Sequence, residues 1–499
     1  MSQQEQKLVE RLNEVIGAAE YRHAFWGIGV ADGATGEILY NLNGDKLFPP
    51  ASTTKLWSCA AALDAYGPDY RFITPVVRRG EINPEGVVDG ELILRAVGDP
   101  ALSGRIDSDG SLAFTSHDHT YADFFDAELT ETDPLDGIDD LARQIAASGV
   151  RQAKDLLIDD RLFDREAGEF GRLVRSSPVM VNDNLVDILI TPAESIGMPA
   201  GIQARPATAY VQIDCQVETV QAGEGGEVRV ERLSPRNFAV KGKIEIGRKP
   251  LVKVAWIEEP QDFTRTLLVE RLRRYGVRVD RSLLLPADYA ALPPVEQVEG
   301  LPVLARHISA PFSEVIRLVL KVSHNPIANV LPQLVAVRNG KRKSQEGLRR
   351  QAEFLQELGI DPGSVSFGSG AGGSLSDHVT PMATLKLLQG MANRRDAAVY
   401  KRALPVMGVD GTLSDAVGQD SPARGKVLAK TGTALVENSL DGSVLLVSKA
   451  LAGYLTTASG RQLNVVLFLS MVPLPSAGAV MEQGKVLGKI CEILVQTVL

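Results

Sequence analysis

The sequence predicts an α/β (α+β) chain in which helices from both ends cover one sheet and a β-rich region is inserted between them. The first observation is an amphipathic helix over 5–16, where Leu8, Leu12 and Ile16 recur at helical spacing. The second is a similar amphipathic pattern over 480–499. The third is a set of alternating or continuous apolar runs that predict strands, at 26–31, 428–433, 453–457 and 465–470.

Length and composition indicate several domains with buried cores. A chain of 499 residues with 44% hydrophobic residues has room for roughly three domains. The two ends form one predicted domain, 1–80 and 300–499. The region 81–299 alternates short β runs with turns, which predicts two nested β-rich domains. A net charge of −9 gives no electrostatic attraction to nucleic acid.

A short motif in one predicted strand carries chemistry, namely Lys430-Thr431-Gly432 followed by Thr433. Gly432 suits a strand along which a substrate backbone must pass closely. The lysine amine and the two threonine hydroxyls suit a carboxylate. The backbone N–H groups of an edge strand could also complete an oxyanion hole with the N–H of Ser52. The alternative interpretation is a β-turn that exposes the lysine.

A second motif, Ser52-Thr53-Thr54-Lys55, follows two prolines and precedes an alanine-rich run, which predicts a helix beginning near Ser52. Residues three apart share a helix face, so the Lys55 amine is expected beside the Ser52 hydroxyl. A lysine that accepts a proton needs a lowered pKa, from burial or from a neighbouring cation such as Lys430. Taken alone, the motif also fits an N-cap serine with a solvated lysine.

The third motif, Ser323-His324-Asn325, follows an apolar helical stretch over 312–322 and precedes Pro326, which marks a break. A loop between two helices would present Ser323 and Asn325 together. A hydroxyl there can pass a proton to a leaving amine, and the Asn325 amide can hold a substrate amide. His324 is interpreted as a structural spacer. The alternative is an ordinary turn between helices.

The order and spacing of the three motifs resemble those of penicillin-binding proteins and β-lactamases. The interval between Ser52 and Ser323 is too long for a simple β-lactamase and fits a relative with inserted domains. The chain is similar to a low-molecular-mass class C penicillin-binding protein, the D-alanyl-D-alanine carboxypeptidase/endopeptidase family. Further segments carry the similarity: 90–94, 98–100, 155–160, 162–164, 320–325 and 452–454.

The resemblance implies a penicillin-binding/β-lactamase-like transpeptidase domain, with an antiparallel sheet flanked by helices, and a serine-type carboxypeptidase that works through an acyl-enzyme. The catalytic residues that it implies are Ser52 as nucleophile, Lys55 as base, Ser323 as proton relay, Asn325 to orient the acyl side and Lys430 to hold the carboxylate. The substrate-binding residues that it implies are Thr431, Gly432 and Thr433.

The implied partners are peptidoglycan stem peptides, which are the substrate, and β-lactam antibiotics, which are expected to acylate Ser52. No metal, cofactor or nucleic-acid partner is expected, and the oligomeric state is left open. The polar start of the chain shows no secretory signal, and no stretch is long enough for a membrane span. The resemblance implies a periplasmic or extracytoplasmic location, with a leader removed, although a cytoplasmic location stays open.

Several alternatives remain at this stage. The same serine chemistry would serve a β-lactamase, or a cytoplasmic serine esterase or D-amino-peptidase. A chain of another class, a non-catalytic peptidoglycan-binding scaffold, is disfavoured because every reactive group is present.

One segment departs from the family pattern. The glycine-rich stretch 367–377 lacks the leading acidic residue and the trailing arginine expected of the family, and it ends in Asp377. The substrate contacts of this segment are therefore in doubt, whereas the acylation residues are all present. The three cysteines, Cys59, Cys215 and Cys491, lie far apart and predict free or buried thiols, without a zinc site or a disulfide framework.

The inserted region contains a strongly acidic segment, 107–140, with His117-Asp118-His119 at its centre. A metal-binding loop is one interpretation, but the ligand spacing fits no known cage. The segment is therefore predicted to be a solvated acidic loop.

Overall fold

The computed structural model describes residues 3–166, 176–283, 285 and 287–497. The chain divides into two compact units: unit 1 comprises Met1–Tyr70 and Phe312–Leu499, and unit 2 comprises Arg71–Pro311. The predicted domain limits near 80 and 300 and the predicted subdivision of the insertion into two nested domains stay predictions.

Unit 1 contains helices from both ends of the chain. In chain order they are α1 (Gln3–Ile16), α2 (Thr54–Tyr66), α3 (Phe312–Lys321), α4 (Asn325–Val337), α5 (Ser344–Glu357), α6 (Pro381–Ala392), α7 (Ala397–Arg402) and α8 (Val480–Gln496). The two predicted terminal helices are present as α1 and α8, and residues 498 and 499 of the second prediction lie outside the described residues.

The strands of unit 1 are β1 (Phe25–Asp32), β2 (Ile38–Leu42), β3 (Val365–Ser366), β4 (His378–Val379), β5 (Val427–Glu437), β6 (Val444–Thr456), β7 (Gln462–Ser470) and β8 (Val472–Leu474). The main sheet has the order β5-β6-β7-β1-β2, with antiparallel neighbours, and β8 also pairs with β6. All four predicted strands belong to it. Because β5 stands at one end of this order, the strand that carries Lys430 forms an edge of the sheet, with an isolated bridge between Val406 and Leu428 on its outer side.

Helices α1 and α8 cover one face of this sheet. Leu8 and Leu12 of α1 are buried with Leu487 and Ile490 of α8, in one apolar cluster that also contains Leu467 of β7. Full burial of one leucine side chain contributes about 1.5–3 kcal/mol relative to exposure. The helical spacing visible in the sequence therefore corresponds to one stabilised layer that joins the two ends of the chain.

Helix α2 lies inside the core of unit 1. Its residues Thr54 to Leu63 are all buried, and the Tyr400 hydroxyl donates a 2.8 Å hydrogen bond to the Leu56 carbonyl oxygen. A helix that is buried on every side cannot rotate or slide without opening cavities. This packing holds the first residues of α2, including Lys55, in a fixed position.

Unit 2 combines β-structure with helices that the sequence patterns did not predict. Its longer helices are Asp136–Ala147 and Pro260–Arg274. A five-stranded sheet has the order Arg278–Val279, Gln152–Asp159, Val87–Arg95, Ile73–Arg78 and Val303–Ile308. The other strands are Asp99–Ser103, Val179–Val181, Leu185–Thr191, Gly201–Arg205, Gln212–Val220, Val228–Ser234, Asn237–Glu245 and Leu251–Trp256, and a short helix spans Val295–Glu299.

A buried network of charges lies within unit 2. The Arg105 guanidinium donates hydrogen bonds to Asp118 at 2.7 Å and to Asp183 at 2.9 Å. Both ring nitrogens of His119 face carboxylates, with Nδ1 2.6 Å from Asp187 and Nε2 2.7 Å from Asp183. Burial disfavours the charged imidazole, but the Asp187 and Asp183 carboxylates outweigh it and raise the pKa of His119 to about 10.

This network corrects the prediction of a solvated acidic loop. Asp118 and His119 are both buried: Arg105 supplies the positive charge that burial of Asp118 requires, and Asp183 and Asp187 supply the negative charge that burial of His119 requires. The prediction does hold at Asp107 and Asp126, which are exposed. Within the described ranges, no group of three or more His, Cys, Asp or Glu residues is arranged to hold a metal ion.

Two further expectations concern thiols and membrane spans. Cys59 and Cys491 are buried free thiols, and Cys215 is a partly exposed one. None of the helices found in the described part of the chain has the length and apolar character that crossing a bilayer requires.

We expect Arg105→Met to lower the free energy of unfolding by about 3–5 kcal/mol, because Asp118 would lose its buried cation and Asp183 would keep His119 but lose Arg105. Denaturant unfolding followed by circular dichroism measures this change. The matched control is Arg143→Met, which removes an exposed ion pair with Asp140 and is expected to cost about 0–1 kcal/mol. Equal losses in the two variants would contradict the view that the buried carboxylates depend on the Arg105 cation.

Candidate active site

Ser52 and Lys55 lie together at the start of α2. Ser52 belongs to a 3₁₀ turn, Ala51–Thr53, which runs directly into the α-helix at Thr54. The Lys55 Nζ is 2.9 Å from the Ser52 Oγ. Lys55 is fully buried, whereas Ser52 is partly exposed. The hydroxyl is therefore accessible from outside while the amine beside it is held in the interior.

Two further oxygens lie within hydrogen-bond distance of the Lys55 amine. The Nζ donates to the Asn325 Oδ1 at 2.7 Å and to the carbonyl oxygen of Ala371 at 2.9 Å. These partners come from segments that are far from α2 in the sequence. Three fixed contacts restrict the rotamers of a long side chain that is otherwise flexible.

Ser323 and Asn325 occupy the junction between α3 and α4, as predicted for this motif. His324 caps α4, since its Nδ1 accepts a 3.1 Å hydrogen bond from the Ile327 N–H, which agrees with its interpretation as a structural residue. Ser323 is buried and has a φ of 61°, in the left-handed region. Pro326 stands in the first turn of α4, so it begins a helix at this break.

Backbone strain occurs at both of these motifs. Ala51, directly before Ser52, has a φ of 45°, and Ser323 has the value given above. A non-glycine residue in this region costs of the order of 1–3 kcal/mol and persists only where surrounding contacts enforce it. The surrounding fold therefore imposes the backbone that presents Ser52 and Asn325.

Lys430 is buried in β5 close to Lys55. Its Nζ donates a 2.7 Å hydrogen bond to the Thr431 carbonyl oxygen, and its side chain is fully inaccessible. Burial, followed by the positive charge of Lys55, holds the pKa of Lys430 well below its usual range. The Cys59 thiol lies near both lysines, and burial raises its pKa, which opposes formation of a thiolate.

The threonines of the motif strand lie closer to the surface. Thr431 is partly exposed and its Oγ1 donates to the Thr412 Oγ1 at 2.7 Å, whereas Thr433 is exposed. Between them, Gly432 approaches the nucleophile motif closely. A Cβ added at Gly432 would lie 2.5 Å from the Pro50 carbonyl oxygen and 3.2 Å from the Ser52 nitrogen. Only glycine allows the strand this close to the Ser52 backbone.

The segment before β5 connects two of the motifs and was missed in the sequence. Asp410 accepts a hydrogen bond from the Lys321 Nζ at 2.6 Å, at the end of α3, and Thr412 contacts Thr431. Lys321 stands only two residues before Ser323 in the sequence. Lys321 and Asp410 are far apart in the chain, so their pairing leaves no periodic signal in the sequence.

The glycine-rich stretch 367–377 forms a closed loop beside Lys55. Asp377, which departs from the family pattern, accepts hydrogen bonds from the Gly368 N–H at 2.8 Å, the Ser369 hydroxyl at 2.5 Å and the Ser374 N–H at 3.1 Å. The loop carries the Ala371 carbonyl that contacts Lys55. The backbone contact could not be found from residue types, because any residue at position 371 offers the same carbonyl.

The structure thus brings Ser52, Lys55, Asn325 and Lys430 into one region and places Ser323 in the adjoining turn. Thr431, Gly432 and Thr433 follow Lys430 along the edge strand. The arrangement offers a nucleophilic hydroxyl beside an amine, an amide oxygen that orients the amine, and hydroxyl donors on an accessible edge. These parts suit acyl transfer to a serine.

Comparison with known proteins gives a consistent result. A model of the D-Ala-D-Ala carboxypeptidase 3 (S13) family matches residues 8–486. The chain is 28% identical over 464 residues to a D-alanyl-D-alanine carboxypeptidase of Actinomadura sp. (strain R39), covering 88% of this chain and 78% of that one. It is 26% identical over 454 residues to the D-alanyl-D-alanine carboxypeptidase DacB of Haemophilus influenzae, covering 87% and 83%.

A solved structure shares the fold. Penicillin binding protein 4 (dacB) from Haemophilus influenzae aligns with a TM-score of 0.72 at 22% identity, over 96% of this chain and 98% of that one. The predicted fold class is therefore confirmed.

We expect Gly432→Ala to slow covalent acylation of the protein by a penicillin roughly 100-fold, because the new methyl group would displace β5 from the Ser52 backbone. Time-resolved intact-mass spectrometry measures the rate of adduct formation. Gly418→Ala is the control, since nothing lies within 4 Å of the added Cβ. An unchanged rate in Gly432→Ala would contradict a need for this close approach.

We expect Asp377→Asn to slow the same acylation roughly tenfold, because a loosened loop would no longer hold the Ala371 carbonyl on Lys55. The same mass assay measures it, together with a melting curve that reports whether the variant is folded. Asp361→Asn is the matched control, since Asp361 also accepts a backbone N–H, from Gly363, in an exposed turn. Equal effects of the two substitutions would argue against a specific role for the loop.

Proposed function

The chain belongs to the D-Ala-D-Ala carboxypeptidase 3 (S13) family, and from this premise we propose that Ser52 is the nucleophile of its reaction. The protein is a serine-type D-alanyl-D-alanine carboxypeptidase, as the sequence predicted. The β-lactamase and esterase alternatives are not favoured by these relatives. The roles of individual residues, the leaving groups and the inhibitors are the substance of the proposal.

One observation supports the proposal above all, namely the contact of the Lys55 amine with the Ser52 hydroxyl, the Asn325 amide oxygen and the Ala371 carbonyl. A neutral amine has two N–H donors and one lone pair. If the two donors point at Asn325 Oδ1 and the Ala371 carbonyl, the lone pair faces the Ser52 hydroxyl at 2.9 Å. This is the geometry in which an amine accepts the proton of an attacking serine.

We assign the first step to this pair. Lys55 takes the Ser52 proton while the Oγ attacks the carbonyl carbon of the terminal D-alanyl-D-alanine bond. The oxyanion is expected to accept hydrogen bonds from the Ser52 N–H and from a backbone N–H of β5, whose Gly432 approaches the Ser52 nitrogen. Donors that are already in place need no reorganisation as the charge develops.

The second motif completes the step. Ser323 relays the proton to the nitrogen of the leaving D-alanine, so the C–N bond breaks and an ester with Ser52 remains. Asn325, held at the start of α4, orients both Lys55 and the acyl side of the substrate. Water then attacks the ester, which releases the acyl peptide as a free acid and restores the Ser52 hydroxyl.

The motif strand binds the terminal carboxylate. Thr431 and Thr433 lie on one face of β5 and offer two hydroxyl donors, because side chains alternate along a strand. Lys430 lies on the other face of β5, where its amine donates to the Thr431 carbonyl oxygen and stands close enough to Lys55 for the two amines to repel each other when both are charged.

The partners follow from this chemistry. Stem peptides of peptidoglycan are the proposed substrates, and a cross-link whose leaving amine replaces D-alanine would make the same reaction an endopeptidase cleavage. A structure of the Haemophilus influenzae protein holds a β-lactam, and we propose that β-lactams also acylate Ser52. Such substrates lie outside the cytoplasmic membrane, so we propose an extracytoplasmic site of action.

We expect Ser52→Ala to abolish the covalent penicillin adduct and to lower the release of D-alanine from an acyl-D-alanyl-D-alanine peptide by at least about 1,000-fold. Intact-mass spectrometry and a D-alanine assay measure the two effects. Ser476→Ala, at an exposed serine, is the control and should keep both activities.

An adduct that persists in Ser52→Ala would overturn the assignment of the nucleophile. Rapid turnover of the penicillin by the wild-type protein, with no accumulated adduct, would instead support a β-lactamase.

A further inference from the structure

A third lysine lies beside the motif strand and has no role in the reaction described above. Lys449 is on β6 directly opposite Thr433 on β5. Its Nζ donates a 3.0 Å hydrogen bond to the Thr433 Oγ1. Directly paired residues of antiparallel strands share a face, so the Lys449 amine, Thr433 and Thr431 all belong to the same face of the sheet.

The surroundings of Lys449 leave its charge unbalanced. Among the described residues, no carboxylate forms an ion pair with it, and burial lowers the pKa of its amine to about 8. Lys321 shows the usual arrangement, since it is also buried but is paired with Asp410 at 2.6 Å. A partly buried ammonium without a counter-ion loses hydration that nothing in the chain replaces.

The fold makes room for this side chain. Gly484 of α8 faces it, and a Cβ added there would lie 3.3 Å from the Lys449 Cε and 3.6 Å from its Nζ. The glycine therefore lets the helix pass over the lysine stem while the amine keeps its direction toward Thr433. The lysine is positioned by packing on one side and by a single hydroxyl on the other.

Lys430, the cation of the motif itself, is poorly suited to binding the substrate carboxylate directly. It is fully buried, its amine donates to the Thr431 carbonyl oxygen, and Lys55 lies near enough to depress its pKa. The Lys449 amine, by contrast, touches the exposed hydroxyl of Thr433.

We propose that Lys449 is a specificity-determining residue that, with Thr433, supplies the positive charge for the terminal carboxylate of the substrate. The inference rests on the proposed function, in which Thr431 and Thr433 bind that carboxylate. A carboxylate that accepts hydrogen bonds from a hydroxyl and an ammonium would provide the counter-ion that Lys449 lacks.

The test compares two substrates that differ only in the charge of interest, an acyl-D-alanyl-D-alanine peptide as its free acid and the same peptide as its C-terminal amide. The variants are Lys449→Met, which keeps the stem and removes the charge, and Lys449→Arg, which keeps the charge. Lys485→Met is the matched control, because Lys485 is an exposed lysine of α8 that pairs with Glu482. A melting curve checks that each variant is folded.

For the free acid we expect Lys449→Met to lower kcat/KM about tenfold or more, mainly through KM, since hydrogen bonds to charged groups contribute more than neutral ones. Lys449→Arg is expected to retain most of the activity. Hydrolysis of the amide should stay within about twofold in every variant, and Lys485→Met should match the wild type on both substrates.

An equal loss on acid and amide in Lys449→Met would mean that the residue only supports the fold of β5 and β6, and it would overturn the proposal. An unchanged KM for the free acid would overturn it as well. If the wild-type protein releases no D-alanine and forms no penicillin adduct, the proposed function itself fails, which is a different result from an unaltered acid-to-amide ratio in an active enzyme.

Discussion

The site depends on the position of one buried amine, that of Lys55, which contacts oxygens from distant parts of the chain. Lys55 meets the Ser52 hydroxyl, the Asn325 amide and the Ala371 carbonyl within 2.7–2.9 Å. Each oxygen comes from a different part of unit 1. The core helix α2, the junction of α3 and α4, and the glycine-rich loop must therefore all be in place before the amine has a defined direction.

The same region buries two lysines, which is costly. Lys55 and Lys430 are both fully inaccessible, and their mutual repulsion adds to the desolvation that depresses the pKa of Lys430. Burying like charges close together is unfavourable unless one of them gives up its proton. Apolar burial in the sheet, in α2 and in the layer formed by α1 and α8 contributes stability that offsets this cost.

The inserted unit also buries charged side chains, but there each cation is paired with carboxylates. Arg105 and His119 share buried carboxylates from Asp118, Asp183 and Asp187, so opposite charges compensate one another within a short range. Such a network is a positional constraint more than a source of stability, because desolvation offsets much of the attraction. In the active-site region, the contacts described for the two buried amines are to neutral oxygens, those of Ser52, Asn325 and Ala371 for Lys55 and the Thr431 carbonyl for Lys430.

Local patterns in the sequence determined a large part of this protein. The i, i+3 spacing of Ser52 and Lys55, the apolar spacing of the terminal helices and the alternation around Lys430 were sufficient to predict the elements that carry the chemistry, because these features arise from the geometry of a single helix or strand. The order and spacing of the motifs, together with similar segments elsewhere in the chain, were sufficient to predict the family.

Only the tertiary structure decided which distant groups meet. The Ala371 carbonyl, the Asp410 contact with Lys321, the pairing of Lys449 with Thr433 and the burial of Asp118 and His119 have no periodic signature, since each joins segments far apart in the chain. A polar residue in a sequence is as compatible with solvent as with a buried partner. Long-range packing decides between these two states. It buries Asp118 and His119 in a network of charges, where the sequence had predicted a solvated loop.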